Sequence, residues 1–271
     1  GSLDMKKSLL AAGLAAALLA PQVAGAEGFG IVEWSAEGIA MGGARMFAEG
    51  DAANVAYNPA SITKIEGKAL KFSATYLSPH GEYEMYKGAT QVEKGTNRVH
   101  PAWAPGSYYV RQLDEKNWFG TGTFARYAMV SEFEGTSMAA FNSRLAKLNG
   151  ISFTPVFAHK FDKKWSASVG AEINYVGLEL QKNMPLGSDV AETQTKGESI
   201  ALGWNAAANY AFDDKNEIGV VYRSRMTHSL EADFKMNGKK VADAYGVVTL
   251  PDTWSIGYNH KFDDKTRVEL N

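Results

Sequence analysis

The sequence predicts an all-β protein, a transmembrane antiparallel β-barrel, on three observations. The first is alternation. After Asp162, the residues Trp165, Ala167, Val169, Ala171, Ile173 and Tyr175 fall on one face, and Ser166, Ser168, Gly170, Glu172 and Asn174 on the other. The pattern recurs before Asp213 (Ile200, Leu202, Trp204, Ala206 against Gly203, Asn205, Ala207, Asn209) and before Asp263 (Trp254, Ile256, Tyr258 against Ser255, Gly257, Asn259). A period of two marks strands with one apolar and one polar face. The second is a repeated corner: LDEK at Leu113, FDKK at Phe161, and FDDK at both Phe212 and Phe262. The corner aspartates are 48, 51 and 50 residues apart, a near-constant period. The third is that irregular polar tracts at 132–149, 181–198 and 237–247 lie between the corners, so short turns close one end and long loops the other.

The elements follow in order. Residues 1–4 read as a cloning remnant before Met5. Residues 5–26 read as a signal peptide: Lys6 and Lys7 form the basic start, residues 9–20 the apolar run, and Ala24-x-Ala26 the cleavage pattern. That run is too short to cross a bilayer as a helix, and no later stretch approaches the required length. Residues 27–67 are rich in Ala and Gly and lack the two-residue period. Gly42-Gly43 and Gly50-Asp51 are turn signals, and Asn58 stands before Pro59, where the helical region is disfavoured. A wide barrel needs a water channel or a plug, and this segment is expected to be the plug, or hatch. Residues 68–271 are the barrel, expected to hold eight complete strands and the start of a ninth at 266–271. Phe161, Trp165, Phe212, Phe262 and Trp118 gather beside the turns as an expected interfacial girdle.

Composition excludes several classes. The net charge of −2 offers no basic stripe for nucleic acid. There is no cysteine for disulfides or thiolate metal sites. The five histidines (80, 100, 159, 228, 260) do not cluster, and no G-x-S-x-G elbow occurs, so an enzyme such as a barrel lipase is disfavoured and no cofactor is expected. A soluble β-sandwich also alternates, but the Ala, Gly and Asn of the second face suit a polar lumen better.

Further stretches carry a family resemblance. The segment GFGIVEWSAEGIAMGGARMFAEGDAANVAYNPASI, with Phe29, Ser35, Gly38, Gly50-Asp51 and Asn58-Pro59-Ala60, resembles the N-terminal hatch of the FadL/TodX outer-membrane transporters of long-chain fatty acids and other hydrophobic compounds. YYVRQLDEKNWFGTG, GWNAAANYAFDDKNEIGVVYRS and LPDTWSIGY agree with it in the same order. The resemblance implies a barrel of fourteen strands, of which this chain holds about the first two-thirds. Left open in a bilayer, such a sheet would have an unpaired edge, so the chain alone is not expected to close into a transport-competent barrel.

The resemblance also implies capture of a hydrophobic ligand in the lumen, a hatch rearrangement, and lateral exit at a kink in the third strand, here near 117–130. It places Phe29 near the bound ligand and Asn58, Pro59 and Ala60 against the kink. Gly120 and Gly122 lack side chains and permit either a gap in the wall or close packing of the hatch. By parity Arg126, Arg223 and Arg225 face inward, either for a fatty-acid carboxylate or for ion pairs with Glu172, Glu231 or Asp233. Phe29, Ile31, Phe124 and Val221 would line an apolar tail. The expected partners are a hydrophobic small molecule and outer-membrane lipid, with the protein a monomer in the outer membrane of a Gram-negative bacterium. The competing reading is a general porin or structural barrel.

Overall fold

A computed structural model describes residues 46–77, 81–87, 90–99, 102–132, 145–186 and 188–270. The signal peptide, Phe29, Ile31 and the remainder of 27–45 lie outside the described residues. The strands are β1 (Lys68–Leu77), β2 (Gly81–Lys87), β3 (Thr90–Val99), β4 (Ala102–Gln112), β5 (Asn117–Glu132), β6 (Leu145–Lys160), β7 (Trp165–Leu186), β8 (Asp189–Ala211), β9 (Asn216–Arg223), β10 (Met226–Met236), β11 (Lys239–Leu250), β12 (Thr253–Lys261) and β13 (Arg267–Leu270). They form one antiparallel sheet in the order β1-β4-β5-β6-β7-β8-β9-β12-β13, with the hairpins β2–β3 and β10–β11 added beside it.

Alternation sets the two faces. Val169, Leu202, Ile200, Trp204, Trp254 and Ile256 are exposed on the convex side, as membrane-facing residues are. Ser168, Glu172, Asn174, Asn205, Asn209 and Asn259 are buried on the concave side.

The four corners share one geometry. In each, the Asp Oδ1 accepts from the backbone N–H groups two and three residues on: Lys116 and Asn117 for Asp114, Lys164 and Trp165 for Asp162, Lys215 and Asn216 for Asp213, Lys265 and Thr266 for Asp263. An aspartate so placed satisfies the two donors that a tight reversal would otherwise orphan. The repeat extends further in alternate corners. His159 Nδ1 lies 2.7 Å from Asn117 Oδ1 and its ring meets Phe161 edge-on; His260 and Phe262 stand the same way about Asn216, at 2.6 Å. Since the Asn117 and Asn216 amides donate to Asp114 and Asp213, the imidazole Nδ1 must be the donor.

These bonds hold each corner carboxyl below its usual value of 3.8. The largest cause is the Asn side chain at Asp114 and Asp213, and a backbone N–H at Asp162 and Asp263. A depressed carboxyl contributes stability that is present above the ordinary value and lost as pH falls through the folded one. Unfolding midpoints in urea should therefore drop between neutral pH and pH 3 (roughly the carboxyl range). Asp213→Asn, whose amide oxygen still accepts both N–H groups, should show a smaller drop; an identical drop would rule the corner out as a source.

Two sequence expectations change. Residues 181–186, 189–198 and 239–247 are strand, not irregular loop, and residues 145–149 of the tract 132–149 open β6. The β7–β8 ladder runs unbroken from Trp165↔Tyr210 to Leu186↔Asp189, and residues 239–247 belong to β11. Thr193 and Thr195 take buried inward positions there, so the alternation continues in polar residues that apolar counting misses. A strand of this length spans roughly 70 Å, far beyond a hydrocarbon core of about 30 Å, so β7 and β8 project out of the bilayer. Trp118 is not a girdle residue. It is buried on the inward phase and donates from Nε1 to the Ile65 carbonyl at 2.7 Å, leaving Phe119 as its exposed neighbour.

Candidate functional site

Residues 46–67 fill the concave side of the sheet. Gly50 has φ +69, a left-handed turn suited to glycine. Asp51 Oδ1 then accepts from Ala53 N and opens the short helix α1 (Asn54–Tyr57). Asn58 is extended, and its side chain accepts from Ala60 N to cap the 3-10 turn Pro59–Lys64. The chain thus reverses where the residue before proline cannot stay helical.

The segment is tied to the wall on several sides. Lys71 of β1 pairs with Asp51 at 2.8 Å, Lys64 with Glu217 of β9 at 2.5 Å, and Lys261 of β12 with Glu49. Arg223 of β9 donates to the Ala56 carbonyl, and Met46 N to Glu269 of β13. The central tie is Asn209 of β8. Its Oδ1 accepts from Asn58 Nδ2 at 2.8 Å, and its Nδ2 donates to Ser61 Oγ at 3.0 Å. Ser61 Oγ in turn donates to the Met46 carbonyl.

The expected site residues separate into groups. Asn58, Pro59 and Ala60 are buried, and the 3-10 turn that they open meets β5, β6, β7 and β8. Asn58 bonds to Asn209 of β8, and Ala60 clusters with Phe47, Ala207 of β8 and Val221 of β9, whereas α1 faces another wall. That other wall is β5. A Cβ on Gly120 or Gly122 would stand 2.9 or 3.0 Å from the Val55 side chain, so the two glycines admit the inner segment. Both stay in regular register with β4 and β6. The irregularity in β5 comes later, a bulge between Ala125 and Tyr127 that contains Arg126. Phe124 is buried and stacks on Tyr108 with ring centroids 6.2 Å apart.

Arg126 and Arg223 are buried, whereas Arg225 is not. The inward phase changes at Ser224: Val221 and Arg223 are buried before it, Met226 and His228 after it. Arg225 therefore faces out, 65% exposed and 3.9 Å from Asp252. Of the three candidate acids, Glu172 pairs with Arg126 at 2.6 Å, whereas Asp233 pairs with Lys240 and Glu231 is exposed. Ser152 Oγ donates to Glu172, Asn174 to Ser152, and His228 Nε2 to Asn174 Oδ1, at 2.7 to 2.8 Å. The sequence reading missed Asn174, Asn209 and His228; for the two asparagines the available signal was polarity on the inward phase. His228 faces an amide and not a carboxylate, so it lacks the orienting partner of a nucleophile's base. Among the described residues no group of His, Asp or Glu is arranged to hold a metal, and no helix is long and apolar enough to cross a membrane.

The comparisons agree with this architecture. A Pseudomonas aeruginosa FadL homologue superposes with a TM-score of 0.72 at 15% identity, over 87% of this chain and 67% of that one. The Pseudomonas putida toluene transporter TodX superposes with a TM-score of 0.59 at 14% identity, over 82% and 64%. In sequence, the long-chain fatty acid transport protein of Escherichia coli O6:H1 is 25% identical over 93% of this chain and 66% of its own length. Outer membrane protein P1 of Haemophilus influenzae is 26% identical over 98% and 69%. The chain thus spans about two thirds of the length of these relatives. The model of the family described as outer membrane protein transport protein (OMPP1/FadL/TodX) matches residues 17–271. The chain belongs to this OMPP1/FadL/TodX family of transport proteins, not enzymes, and its place is the outer membrane.

Proposed function

We propose that the chain forms part of a monomeric outer-membrane channel that takes up long-chain fatty acids or other hydrophobic small molecules. The observation that carries this is the tethered segment 46–67, which fills the concave side of a sheet whose outer face is apolar. Such a hatch excludes free diffusion of polar solutes, so transport requires a specific ligand and a rearrangement. The bulge at Arg126 in β5 supports a lateral exit near the third strand of the main path. Delivery to lipid is physically favoured, since each buried CH₂ is worth roughly 0.8 kcal/mol against water. The buried Arg126–Glu172 pair supports a structural role for this arginine, with Phe124 and Tyr108 as apolar lining.

The test is uptake of labelled oleate by cells whose only such channel is the full-length protein. Uptake should be saturable and should fall sharply in Asn58→Ala/Ala60→Glu, while proteoliposomes swell negligibly in small sugars. Rapid sugar permeation without oleate uptake would establish a general porin instead. Extraction of the purified full-length protein should release a bound fatty acid or hydrocarbon.

A further inference from the structure

We infer a second passage through the wall, between β8 and β10, that admits apolar small molecules sideways from the outer leaflet; it rests on the transport reading above. β8 pairs with β9 from Asn205 to Ala211 and with β10 from Thr193 to Glu198. Between them, residues 199–203 have no ladder partner on that side, and the gap is closed below by Ser224, which exchanges hydrogen bonds with Trp204. The lower register joins Asn205 to Arg223 and the upper joins Glu198 to Glu231, so β10 is displaced by one residue relative to β9. The neighbouring line of strands, β11 and β12, breaks at Pro251-Asp252 beside the break between β9 and β10, and the inward phase reverses at both breaks.

Membranes tolerate unpaired backbone only where protein covers it or a cavity lies behind it. Here side chains cover it. Met226 lies against Gly203, where an added Cβ would stand 2.7 Å from its Cγ. His228 holds Asn174, on the far side of β8, and Leu230 completes the cover. Behind them Ala201, Val248 and Leu250 form an apolar cluster on the inner side. In front stand Ile200 and Leu202, 67% and 73% exposed. Apolar surface is thus continuous from lipid to lumen across a stretch with no ladder bonds to break. The gap lies nine to thirteen residues above the periplasmic corner at Phe212, roughly 22–33 Å along the membrane normal for a tilted strand, so it begins at the outer edge of an apolar band about 25 Å tall. The aromatic row Trp204–Tyr222–Trp254 marks the same level. The ligand class is therefore an apolar or single-chain amphiphilic molecule already dissolved in the outer leaflet.

The test uses the full-length protein in a cysteine-free background. Leu202→Cys/Thr227→Cys, facing each other when the upper register is continued, is closed by oxidation or by dibromobimane, which bridges a longer span. Closure should cut the initial rate of uptake of a fluorescent fatty acid several-fold, and reduction of the disulfide should restore it. Glu198→Cys/Glu231→Cys, at a pair already in register, should change little when closed. Met226→Ala should raise the rate. Undiminished uptake with the gap bridged, or an equal loss at the control pair, would overturn the passage and leave the transport function standing. Absence of uptake by the unmodified protein would overturn both.

Discussion

Glu172→Ala is expected to destabilise the protein by about 3–5 kcal/mol, the cost of leaving a buried charge without its partner. Glu172 is 1% exposed, accepts from Arg126 at 2.6 Å and from Ser152 at 2.7 Å, and has no water-exposed alternative. Its removal takes from Arg126, in the β5 bulge, its ion-pair partner and loosens Ser152, Asn174 and His228 in turn, since His228 donates to Asn174, Asn174 to Ser152 and Ser152 to Glu172. Glu172→Gln keeps an acceptor and should lose less. The double change Arg126→Met/Glu172→Leu removes both charges and should recover much of the loss, because replacing both members of a buried pair by apolar groups is often neutral. The measurement is the unfolding midpoint of the detergent-refolded full-length protein. A double variant as unstable as Glu172→Ala would mean that the charge pair itself, not its orphaned half, is what the structure requires.

Asn209→Leu should have the largest effect on permeability. The leucine fills similar space but can neither accept from Asn58 nor donate to Ser61, both fully buried. Each orphaned group costs about 1–3 kcal/mol, and the cost is relieved only if the inner segment moves off the wall. Under the proposed function that movement opens the lumen: small-sugar swelling of proteoliposomes should rise well above that of the parent protein, with the barrel itself intact by heat-modifiable migration. Gly219→Val should act in the same direction. A Cβ there would stand 2.6 Å from Asn209 Oδ1 and 3.1 Å from the Phe47 ring, and overpacking of this kind costs about 1–3 kcal/mol. A sealed lumen in both variants would show that segment 46–67 is held by its other ties alone.

The sequence by itself determined the antiparallel strands that flank the four Asp corners and their two faces, because a period of two and a short turn are local properties of the backbone. It expected eight strands and part of a ninth where the sheet has thirteen, since it read the polar outer hairpins as loops and could not see the breaks that divide β9 from β10 and β11 from β12. It also placed Arg126, Arg223 and Phe124 on the inward phase correctly. Arg225 failed by the same rule: one extra residue at the β9–β10 break reverses every later side chain, and parity cannot see a break that no glycine or proline announces. Trp118 failed because an aromatic beside a turn suits a girdle or an inner bracket equally, and only the Ile65 carbonyl distinguishes them. What the tertiary structure alone decided is which wall each part of the inner segment meets. Val55 goes to the β5 glycines and Asn58 to Asn209, partners 65 or more and 151 residues away in sequence. Contacts at that distance depend on how the sheet curves around the segment, and curvature is a property of the assembled strands, not of any one of them.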